Sequence, residues 1–302
     1  TCVLKMEYLF PEMEEQNRRT LYIIGNGFDL ASGLATSYRH FYQWLKAKNK
    51  DSLINLSEIF WGQNQNLWSD FEKALGEYDE QHILEFCSPN EEFDYDHPTR
   101  SVAAIEDGPD WIFRPIMDEL IEAFNDWVGS INISIANPIN NFTFPRESTY
   151  LTFNYTETLE RIYSIPQSNV LHIHGSRLSG RQYVMGHNNF REPNNEGNNA
   201  DDMFNIQDTK NEIINWMNNL LKDTTTIIRN NQNFFQSLSN IVQVIVYGHS
   251  LNEVDWPYMK EIANNIGLDK QWRISQHSNE DSKRIDSFIR EMRLNNVIKF
   301  DI

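Results

Sequence analysis

The sequence predicts an α/β protein built on an open parallel sheet with helices on both faces. Three observations lead there. Short apolar runs recur without clean alternation, as in strands covered on both sides. Segments of helical period follow them, giving the strand–helix rhythm of a parallel sheet. The unusual polar residues and glycines gather at the ends of those runs, where open sheets of this class hold ligands.

Taken in order, the expected strands are LYIIG (21–25), YLTFN (150–154), VLHIHG (170–175), QYVMGH (182–187), VQVIVYGH (242–249), QWRISQH (271–277) and VIKFDI (297–302). The expected helices alternating with them are Ser37–Lys48, Tyr155–Ser164, Val254–Asn265 and Asp281–Leu294. In the first of these, Tyr38, Phe41, Tyr42, Trp44 and Leu45 have helical spacing and read as packing. Residues 1–20 read as an N-terminal tail on a single α/β domain spanning 1–302. Two insertions interrupt the alternation. Residues from about 50 to 147 are mainly helical (Asn66–Phe86 and Trp111–Ser130), joined by the acidic NEEFDYDHPTR. Residues from about 188 to 239 open with the polar NNFREPNNEGNNADD, a lid-like loop, and continue into the helical pattern Lys210–Leu221. In WSDFEKALG, Ser69 and Glu72 suggest a capping box, and Trp68 and Phe71 suit a core.

With 302 residues and 40% hydrophobic content, a packed core is expected. The formal charge of −17 argues against an extended nucleic-acid partner, whose phosphates require clustered Lys and Arg. A small nucleotide in a local pocket is compatible with it. Two cysteines, Cys2 and Cys87, make no disulfide framework. The apolar runs are too short for a bilayer, and TCVLKMEYLFPEMEEQNRR lacks the order of a signal peptide. A soluble cytoplasmic protein with no membrane partner is the expectation, and a homo-oligomer stays open.

The candidate site residues stand at strand ends. In Gly25-Asn26-Gly27-Phe28-Asp29 the glycines can take dihedrals closed to other residues and admit a ligand to the backbone. The dinucleotide pattern GxGxxG fails at Leu30, and no Gly-Lys-Ser/Thr phosphate loop follows. Asp29 would repel phosphate but accept hydrogen bonds from ribose hydroxyls or an amide. The structural alternative is a tight turn in which Asp29 caps a short helix ending near Gly33. Asn154 is followed by Glu157 at capping-box spacing, so cap and ligand contact are both open there. His172 and His174 share a face of one strand; Gly175 marks His174 as a site residue and leaves His172 structural. Gly186-His187 and Gly248-His249-Ser250 end two further strands. The histidines with Asp29 or Asp255 complete no recognised metal spacing, so no metal is expected. GHSLN lacks the closing glycine of a nucleophile elbow, which leaves Ser250 as a hydroxyl and amide donor to phosphate.

Together IIGNGFDLASGLATSY, WSDFEKALG, TFNYTETLE, HIHGS, GH (186–187) and VYGHSLNEVDWPYM resemble, in this order, the bacteriophage abortive-infection AbiH family over about residues 20 to 300. That family is in turn distantly similar to sirtuins and sirtuin-like NAD-cleaving domains of phage defence. The second resemblance implies a Rossmann-like, sirtuin-like fold. It sets Gly-Ala-Gly-Ile-Ser on Gly25–Asp29, Thr-Gln-Asn-Ile-Asp on Thr152–Thr156, the catalytic His-Gly on His174-Gly175 and Gly-Thr-Ser on Gly248–Ser250. Thr156 replaces an aspartate, Asp29 a serine, and the zinc-binding cysteines are absent, which removes the case for deacylation. The implied function is an anti-phage abortive-infection protein that binds NAD or an ADP-ribose-like nucleotide and, when triggered by a phage component, cleaves the N-glycosidic bond of NAD.

In that reading Asn154 and His174 are catalytic. Asn154 positions the water or the ribose, and His174, with a reference pKa near 6.5, accepts a proton. Gly25, Asn26, Gly27, Phe28, Asp29, Gly175, His187, Gly248, His249, Ser250 and Asp255 bind the nucleotide, and the insertion after His187 closes over it. Whether turnover occurs stays open. The alternatives are a nucleotide-sensing module without turnover and a metal-dependent phosphohydrolase or nuclease.

Overall fold

The structure is a computed structural model that describes residues 13–54, 71–87, 96, 107–177, 183–194 and 206–302. Trp68, Ser69, nearly all of NEEFDYDHPTR and the end of the polar loop after Asn194 lie outside the described residues. The chain divides into two compact units: Thr1–Thr36, Val128–Val184 and Asp223–Ile302 form the first, and Ser37–Trp127 with Met185–Lys222 form the second. The second unit overlaps the two segments read as insertions, but its bounds fall earlier in both.

The first unit holds a six-stranded sheet: β1 (Thr20–Ile24), β2 (Thr149–Thr152), β3 (Val170–His172), β4 (Gln243–Tyr247), β5 (Gln271–Gln276) and β6 (Val297–Asp301). Spatial order is β3-β2-β1-β4-β5-β6 and every pairing is parallel. The fold is therefore α/β and Rossmann-like, with its order reversing between β1 and β4. β1 is buried along its whole length, as a central strand must be. Its side chains alternate between two cores. Leu21 and Ile23 join Leu151, Val244, Val246, Trp272 and Ile274 on one face. Tyr22 and Ile24 join Tyr150, Ile245 and Tyr247 on the other, where Tyr22 stacks on Tyr150 at 5.0 Å. The helices Trp256–Ile266 and Asn279–Met292 carry Tyr258, Met259, Ile262, Ile285 and Phe288 into the first core.

Two expected strands change. QYVMGH adds no strand to the sheet: its described residues make only an isolated parallel bridge, His187 to Leu221. Gly186 explains why, since a Cβ there would stand 2.1 Å from the Leu220 carbonyl oxygen, an approach that serves one close crossing rather than a ladder. VLHIHG stops pairing at His172. Gly175, at φ +85°, turns the chain and donates its amide to the His172 carbonyl at 3.2 Å. His172 and His174 therefore do not share a strand face, because the second lies in the turn.

The second unit is mainly helical, with Tyr38–Ala47, Phe71–Gly76, Glu80–Cys87 and Ile206–Asn218 among its elements. Ser37 and His40 close a capping box on the first of these. Phe41, Phe124 and Trp127 form its aromatic centre. The Lys222 ammonium is fully buried and held by Glu72 at 3.0 Å, as a buried charge has to be.

Candidate functional site

At the carboxyl edge of the first unit, the residue after β1 is Gly25, which opens the helix Asn26–Ala31 as its N-cap. Its φ of −118° is available to any residue, and Gly27 is not among the positive-φ glycines. These glycines are there for packing. A Cβ on Gly25 would stand 2.4 Å from His249 Cα, and one on Gly27 2.8 Å from Gly248 Cα. Gly248 itself has φ +65°. The loops after β1 and β4 thus interlock backbone to backbone. The Gly25 amide donates to the Tyr247 carbonyl at 3.1 Å and the Gly27 amide to the Gly248 carbonyl at 2.8 Å.

This interlock is the middle of a polar chain running along the strand ends. His172 Nε2 faces Glu160 Oε1 at 2.8 Å, and His172 Nδ1 donates to the Asn154 carbonyl at 2.9 Å. Asn154 Nδ2 donates to the Gly25 carbonyl at 3.1 Å, and the Gly248 amide donates to Ser275 Oγ at 2.8 Å. The chain ties β3, β2, β1, β4 and β5. Asn154 is not a helix cap: Glu157 precedes the helix Thr158–Ile162, with no side-chain cap. Asp29 is no cap either, being inside its helix and buried.

Burial, the largest influence on His172, pulls its pKa down. The hydrogen bond and charge of Glu160, with the Asn154 carbonyl and Glu157, outweigh it and hold the imidazole above its ordinary 6.5. A raised imidazole stabilises the fold fully below 6.5 and progressively less as pH rises through the folded-state value. Glu160→Gln is expected to lower the His172 midpoint in an NMR titration of ring nitrogens. An unchanged midpoint would show that the pair does not hold the proton.

Beside this chain three titratable side chains meet. His174, His249 and Asp255 are each less than a tenth exposed. His174 Nε2 stands 3.6 Å from Asp255 Oδ1, and His249 Nε2 stands 3.5 Å from Asp255 Oδ2. His249 Nδ1 accepts the Leu251 amide at 2.9 Å, so in the neutral ring the proton sits on Nε2, facing the carboxylate. Leu251 reaches that position with φ +54°, a left-handed conformation rare for its type. Its carbonyl is held in turn by the Trp256 indole at 2.9 Å. Phe153 presents its ring edgewise to both imidazoles, with centroids 5.0 Å from His174 and 4.2 Å from His249, and Tyr258 closes on His174 at 5.7 Å. Desolvating two imidazoles and a carboxylate is costly, and a core would do better with apolar groups. The trio can pass a proton to or from a reacting group while the carboxylate offsets the charge gained.

A second polar cluster surrounds Asp29, 1% exposed. Its Oδ2 accepts the Thr156 hydroxyl at 2.5 Å, and Thr156 Oγ1 lies 3.1 Å from Thr158 Oγ1. Asp29 Oδ1 is buried, with the Thr158 and Asn154 side chains also beside the carboxyl. Burial pushes the carboxyl up to about 6, against Thr156, Thr158, Asn154 and the charge of His172, which pull it down.

The family model of bacteriophage abortive infection AbiH matches residues 21–276. The chain belongs to the AbiH family. No curated protein and no solved structure matches it. The AbiH match spans β1 to β5, and so every residue of both clusters.

Of the AbiH residues expected in the site, Gly25, Gly27, Asp29, Asn154, His174, Gly248, His249 and Asp255 come together in the contacts above. Gly175 supplies the turn after His174. Asn26, the first residue of its helix, and Ser250, in the loop after β4, are both exposed. Phe28 packs at 5.1 Å on Phe144 and 5.3 Å on Tyr163, which commits its ring to the core. His187 belongs to the second unit, where Nε2 donates to the Met217 carbonyl at 2.9 Å and Nδ1 accepts the Asn189 amide. Sequence reasoning missed Thr158, Tyr258 and the Glu160–His172 pair as members of this edge. The alternation of Thr156 and Thr158 and the spacing of Tyr258 from Asp255 were the available signals. Among the described residues no group of three or more His, Cys, Asp or Glu is placed to hold a metal, and no helix is long and apolar enough to cross a membrane.

Proposed function

We propose that this AbiH protein acts in phage abortive infection by binding NAD at the carboxyl edge of its sheet and cleaving the nicotinamide–ribose bond when triggered. The observation that carries the reading is the meeting of His174 and His249 on the two oxygens of Asp255 beside the β1–β4 reversal, where ligands bind in this fold class. Hydrolysis of an N-glycosidic bond develops positive charge on the ribose and needs a group to take the proton of the attacking water. His174 fills that role, with Asp255 stabilising its imidazolium and His249 holding Asp255 from the other side. Asn154 is a positioning residue here, since its amide is committed to Gly25. The exposed Asn26 and Ser250 are left for the phosphates.

Purified protein incubated with NAD, with and without lysate of phage-infected cells as trigger, tests the reading by quantifying free nicotinamide. His174→Ala and Asp255→Asn should each reduce release by roughly 10²- to 10⁴-fold, the range for a lost general base. Equal release by wild type and His174→Ala sinks the assigned chemistry. The commitment of the Asn154 and Gly27 donors to protein acceptors also suits a second reading, a nucleotide sensor without turnover. Saturable NAD binding with no nicotinamide under either condition would select it.

A further inference from the structure

We propose that β6 is a dimer interface: it pairs antiparallel with β6 of a second copy of this chain, Lys299 of each copy lying opposite Asp301 of the other. The two edges of the sheet differ. β3 pairs over only three residues, Val170–His172, and a very short edge strand is one way a protein keeps its sheet from being extended. β6 runs in unbroken register with β5 from Val297 to Asp301, with no bulge and no proline. The Asn296 carbonyl accepts the Trp272 amide at 2.8 Å, and the Ile302 amide donates to the Gln276 carbonyl at 3.1 Å, so the even-numbered residues turn their backbone toward β5. Val297, Lys299 and Asp301 therefore turn their amides and carbonyls outward, on the side where the sheet has no further strand. A lysine can guard such an edge, but Lys299 is tied back to Ser282 Oγ at 2.9 Å and to Asp286 at 2.6 Å.

The side chains select the occupant. Alternation puts Ile298, Phe300 and Ile302 on one face, where Phe300 stacks on Phe142 at 5.8 Å. Ile298 is 46% exposed and Ile302 36%, which leaves an apolar row along the edge. A second copy turned antiparallel about Phe300 sets Phe300 against Phe300 and Ile298 against Ile302. On the other face it sets Lys299 against Asp301, twice over by symmetry, and each of these pairs sits where backbone hydrogen bonds are exchanged. Shifting the two-fold axis to Lys299 would instead oppose two lysines, which is unfavourable. The strand is thus complementary to itself in one register, as a closed two-fold contact requires. Two six-stranded sheets would then be continuous, with their carboxyl edges facing opposite ways.

Analytical ultracentrifugation of the whole protein tests this. Over roughly 1–100 μM, a range suited to a contact of small area, the mass should climb from 35.6 kDa toward twice that value. Asp301→Lys opposes two lysines across the axis and Lys299→Glu opposes two acids, so each should weaken the dimer by roughly tenfold or more. An equimolar mixture of the two variants should regain it, because the new glutamate of one faces the new lysine of the other. Thermal melts check that each variant is folded. Should Lys299→Glu fail to fold, Ile298→Asp replaces it, and by placing a charge in the apolar row it should also leave a monomer. Wild type that stays monomeric at every concentration overturns the proposal, even if a foreign peptide binds this edge. A dimer that Asp301→Lys leaves unweakened overturns it as well, as does a mixture of folded charge variants that stays monomeric.

Discussion

Gly25→Ala should destabilise the first unit by about 3 kcal/mol or more, at the upper end of overpacking effects. The added methyl would stand 2.4 Å from His249 Cα and 2.7 Å from the Gly248 carbonyl oxygen. Neither is the far end of a flexible side chain, so relief requires one strand-end loop to move off the other. That motion would break the Gly25–Tyr247 and Gly27–Gly248 hydrogen bonds as well. Against a total stability of roughly 5–15 kcal/mol, the loss should appear as a large drop in the urea midpoint. Gly129→Ala is the control, because a Cβ there meets nothing within 4 Å and alanine is the better helix former. Similar midpoints for Gly25→Ala and wild type would show that the interlock is looser than described.

Asp29→Asn should raise stability at pH 8 by an amount on the order of 3 kcal/mol, and the gain should vanish near pH 4. The sign follows from the carboxyl moving from an ordinary 3.8 to about 6 on folding. A group whose folded pKa is raised contributes fully below its unfolded value, and that contribution is lost as pH rises through the folded one. Above about 6 the native state holds a buried anion that the unfolded chain hydrates freely. Asparagine keeps an acceptor for Thr156 without the charge. Urea unfolding of both proteins from pH 4 to 8 reads the difference directly. A difference independent of pH would mean that Asp29 is solvated enough to ionise normally.

Much of the sheet was legible because its signals are local. The apolar runs at 20–24, 149–152, 243–247, 271–276 and 297–301 are strands within a residue or two of their expected positions. VLHIHG and QYVMGH misled because a glycine in each serves a turn or a close crossing, and the period-2 pattern does not record what lies across from it. The strand-end residues were also legible as a class, but the reason for Gly25 and Gly27 was not. Their freedom was read as dihedral, whereas it is the space taken by a loop more than 220 positions away. Thr156 meets Asp29 across a separation of 127 residues, and no local spacing announces such a pair. His187 looked like its fellow strand-end histidines in sequence and belongs to another unit.

The strand order has a consequence during synthesis. Thr20 in β1 pairs with Gln243 in β4, so the centre of the sheet cannot zip up until the ribosome has travelled that whole interval, roughly 10–45 s at 5–20 residues per second. Asp255 emerges later still. A nascent fragment therefore carries His174 before the carboxylate that faces it has been made.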